Sequence, residues 1–286
     1  MAKGRELKGR IKSVENTRKI TRTMEMVATS KMKRAQDRVV AARPYARALA
    51  DVISDLYSPD LAEQFPLLRQ PAHTRRAAVL LLTSNRGLAG GFNANLIKEA
   101  RLLVTRLEAE GTQVDMHVVG RKGIGFFRYL GRTLDVARTD ITDRPTASDA
   151  RGLADALIEN FTNATLDAVY VVYAKFNSAL STPATAERVL PVTPPARRTT
   201  ARDYILAPSA EAILTELLPL YVRNSVYRAL VETVAGEQSA RRTAMKNATD
   251  NATDMINVLR RTYNRARQAQ ITQEIAEIVG GAAALE

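Results

Sequence analysis

Apolar residues in the first fifth of the chain recur at alternating four- and three-residue steps. From Ala28 the series Ala28, Met32, Ala35, Val39, Ala42, Ala46, Leu49, Ile53 and Leu56 runs without a miss, which is the 3.5-residue period of a coiled-coil seam. Upstream, Leu7, Ile11 and Val14 lie on one register and Ile20, Met24 and Val27 on another. Forcing the first register through would put Arg18, Thr21 and Glu25 on the seam. The pattern predicts a helix from about Glu6 to Leu56 with a register shift and a locally altered supercoil. Pro44 sits inside the periodic stretch and the seam continues past it, which predicts a kink and not an end. The period returns over Ser209 to Glu286, at Ile213, Leu217, Leu220, Tyr227, Val231, Val234, Met245, Ala248, Ala252, Met255, Leu259, Ala266 and Ala269. At about 1.5 Å per residue this second helix is on the order of 115 Å long. A helix of that length needs a partner.

Between the two arms the pattern changes. RAAVLLLT (76–83), VDMHVVG (114–120) and LDAVYVVYAKF (166–176) are apolar runs of strand length. Helical patterns separate them, from about Asn93 to Glu110, around Phe126, Phe127 and Leu130, and from about Ser148 to Asn163. TAERVLPV reads as an edge strand ahead of the Pro-rich PVTPPARR. Strands alternating with helices predict a small, parallel, doubly wound sheet of about 130 residues. The expected fold class is therefore α/β plus a long antiparallel coiled coil: a helix over 1–58, a Rossmann-like α/β domain over 59–208, and a second helix over 209–286. One helix enters the α/β domain and the other leaves it, so a pair between them must be antiparallel. The second arm is roughly 20 residues longer, so a tip of about 30 Å, residues 267–286, projects alone. Its last sixteen residues, ITQEIAEIVGGAAALE, contain no Lys or Arg. A helix apolar on most sides must be surrounded, and with no chain left to do so the sleeve is another protein.

Composition narrows the setting. The chain has 286 residues, 45% of them hydrophobic and 25% charged, with no Trp and no Cys. No apolar run reaches membrane-spanning length, and the charged N-terminus MAKGRELKGR lacks the apolar core of a secretory signal. The absence of Cys excludes disulfides and thiol chemistry and is consistent with the cytoplasm. Net charge is +12, and residues 1–50, with fourteen Lys and Arg against four Asp and Glu, carry +10 of it. Such an arm suits nucleic acid or an acidic protein partner, and charge alone leaves both open.

Candidate chemistry is sparse. The loop from Ser84 to Gly91, SNRGLAGG, follows a strand and precedes a helix, where a phosphate-cradling loop would sit. It matches neither the P-loop nor the dinucleotide spacing, and tight packing of a turn is the expected use of its glycines. His73 and His117 are the two histidines, and neither has a second imidazole or thiol at ligand spacing. No nucleophile–base grouping or carboxylate pair stands out. The chain reads as a mechanical or scaffolding part with no cofactor or metal, not as an enzyme.

Long strings at both ends then point to a family. KGRIKSVENTRKITRTMEMVATSKMKRAQDR, RGLAGGFN, VYRALVETVAGEQSARR, SARRTAMKNATDNA and YNRARQAQITQEIAEIVGGAAAL resemble the gamma subunit of bacterial F-type ATP synthases, end to end. The resemblance implies a rotor shaft, one copy per complex, whose longer C-terminal helix enters a hexamer of alpha and beta subunits. It implies an α/β foot seated on the epsilon subunit and the membrane ring of c subunits. It also implies a peripheral place on the cytoplasmic face of the bacterial plasma membrane, and no catalytic residues or direct nucleotide binding in the chain itself.

Residues are carried over where strings match. Met24 occupies the position near the beta subunit's acidic lever segment, and Arg22, Lys31, Lys33 and Arg34 would face that acidic surface. Arg242, Arg267, Gln268, Thr272 and Glu277 resemble positions that touch the beta subunits higher up, and Ile275, Ile278 and Val279 would turn in an apolar bearing. Tyr204 matches the foot near epsilon and the c ring, while Leu206 and Ala207 stand where some relatives carry an aromatic and an acidic residue. Without Cys, the thiol control of chloroplast gamma subunits is excluded. The alternative is a stand-alone coiled coil that binds nucleic acid through the basic arm, with salt-sensitive affinity. That arm lacks interleaved aromatics, and the tip would have no task. A third, enzymatic reading rests on the α/β domain by fold analogy alone.

Overall fold

The computed structural model of the chain describes residues 2–57, 64–193 and 209–283. In chain order the elements are α1 (Ala2–Leu56), β1 (Arg76–Leu82), α2 (Phe92–Ala109), β2 (Gln113–Val119), α3 (Arg121–Tyr129), β3 (Val136–Arg138), α4 (Ala147–Thr162), β4 (Ala168–Ala174), β5 (Ala184–Leu190) and α5 (Ala210–Ala283). They gather into two units, one of residues 29–240 and one of residues 1–28 with 241–286. Helix α1 is continuous across Pro44, and α5 across Pro219.

The larger unit is built on a five-stranded sheet in the order β3-β2-β1-β4-β5. Strands β1 to β4 are parallel, and β5 runs antiparallel to β4. The expected parallel sheet is thus mixed, because β5 returns from β4 by a short connection that permits only antiparallel pairing. Strand β3 had no forecast: three residues are too few for a periodic signal. It is fixed by Asp135, whose carboxylate accepts from the Met116 N–H at 2.8 Å while its own N–H donates to the Met116 carbonyl at 2.9 Å.

Alternate residues of β1 feed two cores. Ala78, Leu80 and Leu82 join one with α4, with Leu49, Ile53 and Leu56 of α1, and with Leu214, Leu218, Val222 and Val226 of α5. Ala77, Val79 and Leu81 join another with α2 and α3. Burial on both faces explains why the central strands read as unbroken apolar runs. A third cluster holds Ala35 and Val39 of α1 against Phe176, Val231 and Ala235. Over 210–230 the buried stripe of α5 lies one position on from the expected one: Ile213 and Leu217 are half-buried and Leu220 is exposed. The reason is that this stretch packs on the sheet core as well as on α1, so a broad face is covered and not a narrow seam.

In the smaller unit the helix pair is antiparallel, as shown by a hydrogen bond from Thr249 Oγ1 to Thr21 Oγ1 at 2.8 Å and an ion pair of Arg260 with Glu15 at 2.7 Å. The expected register shift in α1 does not occur. Leu7, Ile11, Val14, Arg18, Thr21, Glu25 and Ala28 are all covered or half-covered, whereas Ile20 and Val27 are 60% and 50% exposed. One heptad register therefore runs from Leu7 to Leu56, and its polar members stay on the seam because they find partners there. On α5 the facing series is Met245, Thr249, Ala252, Ile256, Leu259, Tyr263, Ala266 and Gln270. Thr249 and Ile256 replace the expected Ala248 and Met255, and Gln270 replaces Ala269; Ile256 is 1% exposed and Met255 55%.

Candidate functional site

The smaller unit carries most of the residues singled out from sequence. Arg22 is exposed and Met24 half-buried, and beside them Ile20, Met26 and Val27 present apolar surface. Arg242 is half-buried, and Arg267, Gln268, Thr272 and Glu277 are exposed. Beyond Gln270 nothing in the described chain covers α5. Every residue from Ile271 to Gly280 is exposed, including Ile275, Ile278 and Val279 at 56%, 72% and 62%. The polar side chains of this tip are satisfied within the helix: the Thr272 hydroxyl donates to the Gln268 carbonyl at 3.0 Å, and Gln270 and Gln273 donate to Glu274 and Glu277, both at 2.9 Å. These four-residue pairs support an isolated helix and leave its apolar side chains facing outward.

Lys31, Lys33 and Arg34 belong to the larger unit. The Lys31 ammonium is 2.6 Å from the Asp143 carboxylate, with both side chains about one-third exposed, so this cation is partly committed within the chain. Lys33 pairs with Asp37 one turn on at 3.1 Å, and Arg34 is exposed. Tyr204, Leu206 and Ala207 lie outside the described residues.

The loop after β1 is filled by its own chain. The backbone N–H groups of Arg121, Lys122 and Gly123, the first turn of α3, donate to Asn85 Oδ1, the Ser84 carbonyl and Thr83 Oγ1 at 3.0, 3.2 and 3.0 Å. The loop after β1 is thus tied to the start of α3, whose first-turn donors it occupies. Gly120, at φ 96°, lies where a Cβ would stand 2.2 Å from the Thr83 carbonyl oxygen, so the close approach of the β1 and β2 ends requires glycine. His117 is buried on β2. Burial lowers its pKa, partly opposed by Asp135 and Asp115.

Sequence reasoning missed the polar joint between β4 and α5. Glu232, Thr233, Gln238 and Ser239 are buried on α5. The Glu232 carboxylate accepts from the Phe176 N–H at 2.9 Å, Thr233 Oγ1 from the Ala174 N–H at 3.4 Å, and the Ser239 hydroxyl donates to the Ala179 carbonyl. Beside them Glu187 accepts from Arg228 and from the Tyr173 hydroxyl, both at 2.6 Å. Burial and the bond to Glu187 raise the Tyr173 pKa far above its ordinary value. Burial works against the Arg228 charge, and Glu187 with its neighbours more than offsets it. The available signal was the polar pair Glu232-Thr233 set between Val231 and Val234.

Comparison with known proteins agrees with this architecture. The profile of a family described as ATP synthase matches residues 3–285. The ATP synthase gamma chain of Gemmatimonas aurantiaca is 67% identical over 289 residues, covering 100% of both chains. Among solved structures, a chain of the Tetrahymena thermophila mitochondrial ATP synthase central stalk and c-ring is 26% identical with a TM-score of 0.62, over 80% of this chain and 99% of that one. A chain of the Euglena gracilis mitochondrial ATP synthase shares the fold at a TM-score of 0.67 and 20% identity, over 99% of this chain and 95% of that one. Among the described residues no helix is long and apolar enough to cross a membrane. On a profile match and a close relative that both span the sequence, the chain belongs to the ATP synthase gamma chain family.

Proposed function

We propose that this chain is the rotor shaft that carries torque between a membrane c ring and a catalytic hexamer of alpha and beta subunits, itself non-catalytic and present once per complex. The observation that carries the reading is the apolar tip of α5, Ile271 to Gly280, which no described residue encloses. Residues 1–58 and 209–286 serve as the shaft and 59–208 as the foot, peripheral on the cytoplasmic face of the membrane, with Tyr204 toward epsilon and the c ring. Ile275, Ile278 and Val279 turn in the bearing. Arg22, Met24, Lys31, Lys33, Arg34, Arg242, Arg267, Gln268, Thr272 and Glu277 meet the beta subunits. Exposed cations beside an acidic surface guide and couple at little cost to sliding. Nucleic-acid binding has no support from the relatives.

The test uses the lack of cysteine. Ser148 is exposed in the first turn of α4, next to a Thr146–Asp149 capping box that its replacement leaves intact. The Ser148→Cys chain is assembled with purified alpha and beta subunits, the hexamer is tethered, and a bead is attached to the single thiol. Stepwise unidirectional rotation that stops without ATP is expected. Failure to assemble, or a bead that only jitters under ATP, overturns the proposal.

A further inference from the structure

We propose that a polar pocket in the larger unit binds a small phosphate-type anion, and that the bound anion clamps together the three elements lining it. The pocket, about 440 Å³ in volume, lies between Arg43 and Arg47 of α1, Asn224, Ser225 and Arg228 of α5, and Lys175 just after β4. That volume is within the usual range of small-ligand sites, and four of these six side chains are cationic. Glu232 is the one carboxylate among the lining residues, and it already accepts a backbone N–H from Phe176. Arg43 donates to the Phe176 carbonyl at 3.3 Å and Arg228 pairs with Glu187. Among the described residues no carboxylate pairs with Arg47 or Lys175.

A second observation is independent of the charge count. Arg228 Nε is buried and has no acceptor. Buried N–H groups without partners are few in folded proteins, and each asks for an explanation. An oxyanion in the pocket neutralises the cations around it, and a small turn of the Arg228 guanidinium, which Glu187 holds only through Nη2, would bring the unpartnered Nε to an oxygen. Planar guanidinium donors and an ammonium match the several oxygens of a phosphate or pyrophosphate, with Asn224 and Ser225 adding neutral hydrogen bonds. None of the side chains assigned to contacts with the beta subunits, with epsilon or with the c ring lines this pocket, so the inference stands whether or not the rotor reading does.

The test measures thermal unfolding of the full chain at matched ionic strength in chloride, inorganic phosphate, pyrophosphate or ATP, with hydrogen exchange as a local readout. Pyrophosphate is expected to raise Tm above chloride and to slow amide exchange in 43–50 and 221–232. A stronger effect of ATP would assign the site to nucleotide phosphates, a stronger effect of the inorganic ions to free phosphate. In Arg47→Gln/Lys175→Gln, two exposed positions whose replacement leaves the core intact, the half-saturating pyrophosphate concentration should rise roughly tenfold per cation removed. The control Arg86→Gln/Arg121→Gln, on a separate basic surface, should keep the wild-type response. No anion-specific rise in Tm, an equal loss in the control, or protection confined to other segments would overturn the proposal.

Discussion

Thr21 fills a seam position that a coiled coil ordinarily gives to an aliphatic side chain, and its hydroxyl, 8% exposed as a residue, is satisfied on both sides: it donates to the Arg18 carbonyl and accepts from Thr249. A polar pair on a seam fixes register at some cost in stability. A double-mutant cycle with Thr21→Val and Thr249→Val should give a coupling of about 0.5–1.5 kcal/mol by chemical denaturation, with the double variant at least as stable as the worse single. His117 carries a pH dependence of defined sign. Its folded pKa lies below the unfolded value of 6.5, mainly through burial. The unfolded chain therefore binds the proton first, and the contribution is fully present above that value and lost as pH falls below it. Denaturant midpoints should drop between neutral pH and mildly acid pH, and His117→Asn should remove that part of the fall.

At the scale of elements, one helix-to-sheet contact with no room for a side chain is that of Gly236 in α5. A Cβ there would stand 2.9 Å from the Ala174 Cβ and 3.4 Å from both Phe92 Cε2 and Thr182 Cβ. Gly236→Val should cost about 1–3 kcal/mol from overpacking, seen as a lowered unfolding midpoint. Nothing around Gly236 in the sequence announces this, since the constraint comes from β4 and from a loop more than fifty residues away. The lower half of α1 was legible, because from Ala28 to Leu56 every apolar seam residue has its partner in the same chain. The upper half was misread for a physical reason: Ile20 and Val27 are apolar yet exposed, while Thr21 is polar yet buried. Periodicity reports which residues avoid water and not which protein covers them. The tip residues Ile275, Ile278 and Val279 were legible as uncovered because the second helical pattern runs longer than the first. The buried Glu232, Thr233 and Ser239 were not, since their partners are backbone groups of β4 and the loop after it, invisible to any side-chain pattern.

For the whole molecule, the division between stability and function is sharp at the C-terminus. Ile278→Asp/Val279→Asp alters two side chains with no intramolecular cover, so the unfolding midpoint of the isolated chain should stay within about 0.5 kcal/mol of the parent. In the assembled complex the same change should weaken the yield of ATP per ion translocated, because charged groups would then turn inside an apolar sleeve. Equal loss in both measurements would place these residues in the chain's own core. The basic arm predicts a complementary salt effect. With +10 of the +12 charge in residues 1–50, assembly rates with an acidic partner should fall as ionic strength rises, as measured by stopped-flow mixing of the chain with alpha and beta subunits.

The joint between β4 and α5 has a mechanical meaning. Apolar side chains packed on a sheet let a helix creep about its own axis, because dispersion has no preferred direction. Here the carboxylate of Glu232, the hydroxyl of Thr233 and the bare backbone of Gly236 engage the end of one strand at fixed angular positions. The arrangement is that of a key in a keyway: a twist applied to this length of helix reaches the sheet with little backlash, and slip would require hydrogen bonds to break together.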